Sequence, residues 1–78
     1  MTLTAGTVHT TPRGHTRILG ASGRWYRFVV RSQGQQFANY GELLSLDGAR
    51  EVVWTGRDRP YGLDGPCLDD AREAAARL

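Results

Sequence analysis

The sequence predicts a small α+β domain: an antiparallel β-sheet of about four to five strands, a meander or open barrel, with one C-terminal α-helix. Three observations lead there. Residues 24–31, RWYRFVVR, alternate aromatic, β-branched and arginine side chains. Clusters of glycine and small polar residues separate the short apolar runs. The last residues, Leu68 to Leu78, place Leu68, Ala71, Ala75 and Leu78 at helical spacing.

Residues 1–7, MTLTAGT, are small and polar and are expected to fray. Val8 to Thr11 is rich in β-branched residues until Pro12 interrupts it, and Thr16 to Leu19 reads as a short strand. Gly20-Ala21-Ser22-Gly23 reads as a turn into the strongest element, Arg24 to Arg31. Alternation puts Tyr26, Phe28 and Val30 on one face, the natural core face. Trp25, Arg27, Val29 and Arg31 fall on the other. Ser32-Gln33-Gly34 turns the chain toward a partner strand, Gln35 to Tyr40.

The stretch from Glu42 to Thr55 supports two readings. Leu43 to Leu46, Asp47-Gly48 and Arg50 to Thr55 form a hairpin pattern, with Asp-Gly supplying the positive φ of a tight primed turn. Yet SLDGAREVV at 45–53 echoes CLDDAREAA at 67–75, and the second copy is helical in pattern. Gly48 weakens a helix, and Val52-Val53-Trp54-Thr55 favours a strand. The hairpin is the expectation. Residues 56–66, GRDRPYGLDGP, hold three glycines and two prolines and read as a loop. In the helix over 68–78, Asp69 and Asp70 would complement the positive end of the dipole and Arg77 the negative end, with Glu73 and Arg77 paired one turn apart.

Size bounds the function. The 78 residues make one domain, and 31 are hydrophobic. Eight of those are alanine and one is Met1, which leaves 22 larger apolar side chains for a core. A chain this short hides only about 60% of its unfolded surface. A two-domain enzyme, a dinucleotide-binding domain and a kinase-like scaffold are excluded.

All ten cations are arginine, each a planar fork suited to carboxylate, phosphate or aromatic partners. Their distribution is uneven. Residues 1–41 carry five arginines and no acid, whereas residues 42–78 carry five arginines and all eight acids. Such asymmetry points toward nucleic acid or an acidic partner. Cys67 is the single cysteine, so a disulfide framework within one chain is excluded. No apolar run is long enough for a membrane span and no signal-peptide pattern opens the chain, so a cytoplasmic location is expected.

Two binding surfaces stand out. The first is the strand face of Trp25, Arg27 and Arg31, joined by Arg17 across the turn. Arginine stacks on aromatic rings and grips oxyanions, so this face suits an acidic protein patch or single-stranded nucleic acid. The plainer alternative is a solvated face with Trp25 packed beneath arginine stems. The second surface is the loop bearing Arg57, Arg59 and Tyr61, where Asp58 and Asp64 offer local neutralisation. His9 and His15, even with Cys67, match no metal-ligand spacing. Asp69 and Asp70 are adjacent and do not converge as a catalytic pair, and no phosphate loop or nucleophile motif occurs.

The expectation is therefore a non-catalytic protein-binding module without cofactor or metal: a small regulator, inhibitor or adaptor docking on a larger protein or complex. A small inhibitor of the kind phages and mobile elements encode is one concrete version. The alternative is a nucleic-acid-binding protein using the arginine–aromatic face. A homodimer completing a sparse core is compatible with either.

Overall fold

A computed structural model describes residues 3–32, 38–60 and 64–78. Six strands, β1 (Val8–Thr10), β2 (Thr16–Leu19), β3 (Trp25–Ser32), β4 (Ala38–Ser45), β5 (Val52–Thr55) and β6 (Arg59–Pro60), precede one helix, α1 (Asp64–Ala75). Strands β1 to β5 form an antiparallel meander in chain order, and β6 pairs with β4 beyond the end of β5. The fold class is the one the sequence predicts.

The first two hairpins share one turn design. Thr11 N–H donates to the His15 carbonyl and Gly14 N–H to the Thr11 carbonyl, with Gly14 at φ 86°. Gly20 N–H donates to the Arg24 carbonyl and Gly23 N–H to the Gly20 carbonyl, with Gly23 at φ 88°. Each is a three-residue connection closed by a left-handed glycine, a conformation that costs a side-chain-bearing residue energy. The Thr11 hydroxyl also accepts from His15 N–H at 3.1 Å.

The region over 42–55 is a hairpin, not a helix, but two details differ from expectation. The described part of the partner strand expected at 35–40, residues 38–40, and the strand at 43–46 are a single strand, β4, which runs through Gly41, and the turn expected at Gln33-Gly34 lies outside the described residues. Glycine stands there because a Cβ would come within 2.8 Å of Phe28 Cε1 and 3.5 Å of the Cys67 carbonyl oxygen. The turn is also wider than a two-residue primed turn. Ser45 N–H donates to the Glu51 carbonyl and Arg50 N–H to the Asp47 carbonyl, while Arg50 joins Gly48 at positive φ. The Ser45 hydroxyl adds bonds to the Glu51 N–H and the Asp47 carbonyl.

The loop expected over 56–66 is shorter than its composition suggests. β6 occupies Arg59–Pro60, and α1 starts at Asp64, four residues before the expected start. Pro66 falls in the first turn, where its missing N–H costs no helical bond. Asp69 and Asp70 consequently lie mid-helix, away from the dipole end, and Arg77 lies in the turn beyond Ala75. The predicted Glu73–Arg77 spacing thus straddles the helix end.

Ile18, Tyr26, Leu43, Ala71 and Ala75 form the buried cluster, with Val8, Phe28, Trp54, Leu68, Ala74 and Leu78 packed on it. Alanine at 71 and 75, both fully buried, lets the helix backbone approach β4, β3 and β2 closely. Cys67 is buried beside them. Val30, expected in the core, is 37% exposed: its cross-strand neighbour is Gly41, which offers no side chain to cover it. Within the span expected to fray, Gly6 N–H donates to the Leu19 carbonyl at 2.8 Å. Arg72 Nε in turn donates to the Gly6 carbonyl at 2.9 Å.

Candidate docking face

α1 covers one face of the meander. Among the described residues, no helix or second sheet covers the other. Register builds that outer face row by row: His9 lies opposite Arg17, Arg17 opposite Arg27, Arg27 opposite Leu44, and Leu44 opposite Val52. A bulge between the Leu43 and Leu44 pairings sets Val52 and Val53 together against Leu44. Both valines stand out, at 50% and 39% exposure. Val29 and Glu42 pair in the next row.

Trp25 stands on this face at the start of β3. Its ring meets the His9 ring edge to face, with centroids 6.2 Å apart and planes at 63°. On one side lies a concavity of about 410 Å³ lined by Leu3, Thr7, Val8, His9, Arg17 and Trp25. On the other side, Trp25, Arg24, Leu46 and Val53 border a second hollow of about 320 Å³, with Asp47 also on its lining. One aromatic side chain thus separates two depressions.

The electrostatics of the face are unbalanced. Arg17 and Arg27 are direct cross-strand neighbours. Like charges in that relation destabilise a sheet by some fraction of about 1 kcal/mol. Among the described residues, the ion pairs within 4.0 Å are Arg31–Glu42 and Arg57–Asp70, so neither Arg17 nor Arg27 is neutralised. Arg17 Nε is shut off from solvent with no hydrogen-bond acceptor. A buried donor in that state costs about 1–3 kcal/mol.

The sequence-predicted residues divide accordingly. Trp25, Arg27 and Arg17 come together. Arg31 follows them on β3, but its Nε donates to Glu42 Oε1 at 3.0 Å, so the cation is locally satisfied. Arg57 belongs elsewhere: its Nε lies 3.9 Å from Asp70 Oδ2, in a groove between the end of β5 and α1 with Trp54, Glu73 and Arg77. This partner is on the helix, whereas the sequence offered Asp58 and Asp64, and the Asp64 side chain lies outside the described residues. Arg59 contributes backbone to β6 while its side chain lies outside the described residues, and Tyr61 lies outside them altogether. The sequence reading missed His9, Leu44, Val52 and Val53 as members of the face. Alternation from Val8 to His9 carried the first signal; the valines needed the bulge, which no local pattern announces.

His9 lies on the outer face, whereas Cys67 is a buried residue of α1, on the opposite side of the sheet. Among the described residues, no three His, Cys, Asp or Glu side chains cluster to hold a metal ion. Among the described residues, no helix is long and apolar enough to cross a membrane. No family model matches the chain, and neither a curated protein nor a solved structure matches it.

Proposed function

We propose that this chain is a non-catalytic protein-binding module: a small regulator, inhibitor or adaptor that docks its uncovered sheet face on an acidic and aliphatic surface of a larger protein. One observation carries the reading. Arg17 and Arg27 face each other across β2 and β3 without an acid to neutralise them, on a face that also carries Trp25, Val29, Leu44, Val52 and Val53 and whose Glu42 is taken by Arg31. A free domain gains nothing from that arrangement; a partner that brings carboxylates and aliphatic groups makes it favourable. The aliphatic surround favours protein over nucleic acid. Base recognition in single strands uses a succession of stacking rings along a basic groove, and here one tryptophan stands among valines and leucine.

The test is affinity capture from lysate, with and without nuclease, using the wild type, Arg27→Glu, Val53→Lys and the helix-side control Arg77→Glu. The expected result is a stoichiometric protein retained after nuclease by the wild type and by Arg77→Glu, and lost with the two face variants. Retention abolished by nuclease would transfer the face to nucleic acid. A partner retained equally by all four proteins would refute the assignment of the face. Sedimentation that shows a dimer sensitive to Val53→Lys would assign the face to a second copy of this chain.

A further inference from the structure

We infer that the concavity between β1, β2 and Trp25 is a subsite for one carboxylate side chain of the partner, with Arg17 as its receptor; this rests on the docking reading above and specifies where the acid enters. The hollow of about 410 Å³ is bordered by apolar Leu3 and Trp25, by Thr7, His9 and Arg17, and by Val8, which also packs on the helix-side cluster. The Thr7 hydroxyl is already committed to the Thr4 carbonyl. That leaves the His9 ring and the Arg17 guanidinium to meet an incoming group.

Arg17 is poised for it by what it lacks. Its Nε is buried without an acceptor, and its cross-strand neighbour is another cation, Arg27. A carboxylate engaging the guanidinium edge through two parallel bonds would satisfy Nε after a small rotation of the side chain. It would also bring a negative charge to one member of the Arg17–Arg27 like-charge pair. A single guanidinium beside apolar Leu3 and Trp25 matches one carboxylate better than a phosphodiester chain, which needs a run of cations along its path. Leu3, 51% exposed at the rim, and the valines across Trp25 would meet aliphatic groups flanking the acid.

The experiment uses the intact chain labelled with ¹⁵N. The probes are a blocked eight-residue peptide alternating Asp and Leu, its Asn–Leu counterpart, and an oligothymidylate of the same length. The readouts are the Arg17 Nε–H and the Trp25 indole N–H resonances. Expected is a joint shift of both signals with the Asp–Leu peptide, about tenfold weaker binding of the Asn–Leu peptide, and a comparable loss in Arg17→Gln. Arg17→Lys, which keeps charge but not the fork, should recover little. Arg13→Gln, in the β1–β2 turn, should bind as the wild type does. Arg17→Gln should also unfold at the same temperature as the wild type or higher, because it removes a like-charge pair.

No movement of the Arg17 Nε–H at millimolar Asp–Leu peptide, or equal binding of the two peptides, overturns the subsite. Tighter binding of the oligothymidylate at the same two signals overturns it in favour of nucleic acid. If the capture experiment retains a protein that Arg27→Glu loses and Arg17→Gln keeps, the docking face stands and the carboxylate subsite falls.

Discussion

Gly20 opens the β2–β3 turn in a position where the backbone is unstrained but the space is taken. A Cβ there would sit 2.6 Å from Tyr26 Cε2 and 3.2 Å from the Arg24 carbonyl oxygen. Carbon atoms are comfortable at about 3.5–4.0 Å, so in Gly20→Ala the tyrosine ring must retreat by about 1 Å. Tyr26 is only 9% exposed and belongs to the five-residue buried cluster, so the retreat disturbs Ile18 and Leu43 packing. Overpacking of this kind costs about 1–3 kcal/mol, while Gly→Ala at an ordinary φ returns about 0.4–1 kcal/mol through the unfolded chain. The net expectation is a loss of about 1–2 kcal/mol, or a Tm lower by roughly 5–15 °C for a domain of this size.

The cause is isolated with a second background. Urea unfolding followed by tryptophan fluorescence should show the Gly20→Ala penalty in the wild type and its disappearance in Tyr26→Leu, a coupling of about 1 kcal/mol or more. Both backgrounds are measured in the same sulfate buffer, which strengthens burial and preserves a folded baseline. Gly23→Ala serves as the contrast. It has open space around its Cβ but a φ of +88°, so its cost is conformational and should be the same in both backgrounds. An equal Gly20→Ala penalty with and without the tyrosine ring would refute the steric account.

Three further outcomes follow from single contacts. Arg72→Ala removes the 2.9 Å bond to the Gly6 carbonyl and should cost about 1 kcal/mol, with faster amide exchange at Gly6 as the local signature. Ala71→Leu inserts volume where α1 meets the sheet at zero exposure and should cost about 1–3 kcal/mol in urea unfolding, whereas the same change at exposed Ala76 should be nearly neutral. Arg31→Gln breaks a pair whose arginine side chain is 52% exposed and should change stability by less than about 1 kcal/mol, read by the same unfolding curve.

Local pattern carried the fold wherever a single segment decides its own structure. Thr16–Leu19 and the β3 alternation follow from β-branched and aromatic content, and the left-handed Gly23 follows from the turn it closes. The misses share another origin. Gly41 looks like a strand break in sequence, but the Phe28 ring takes the space a Cβ would need at mid-strand. Pro60 looks like loop, but β6 lies along β4 at the sheet's margin, where proline is tolerated. The helix start at Asp64 was hidden by Gly65-Pro66, a pair that breaks a helix interior but is accepted in a first turn. For the candidate site, alternation brought Trp25 and Arg27 together, and pairing register alone could add His9 and the two bulge valines.

The arginine-rich first half and the acid-bearing second half become a difference between two sides of one sheet. β1 to β3 place Arg17 and Arg27 on the uncovered face, with Arg24 at the turn beside it. Of the acids of the second half, Asp69 and Glu73 are exposed on α1 and Asp70 meets Arg57, while Glu42 shares the uncovered face but is spent on Arg31. An approaching acidic surface is therefore attracted to the sheet side and opposed at the helix acids, which fixes orientation before contact. That field is screened beyond about 8 Å at physiological salt, so it acts on the association rate, while burial of Trp25, Leu44, Val52 and Val53 governs dissociation. Raising salt should accordingly slow binding far more than it shortens the lifetime of the complex. A complex whose dissociation rate alone rose with salt would mean that the arginines hold the partner, and that the aliphatic residues contribute little beyond the fold itself.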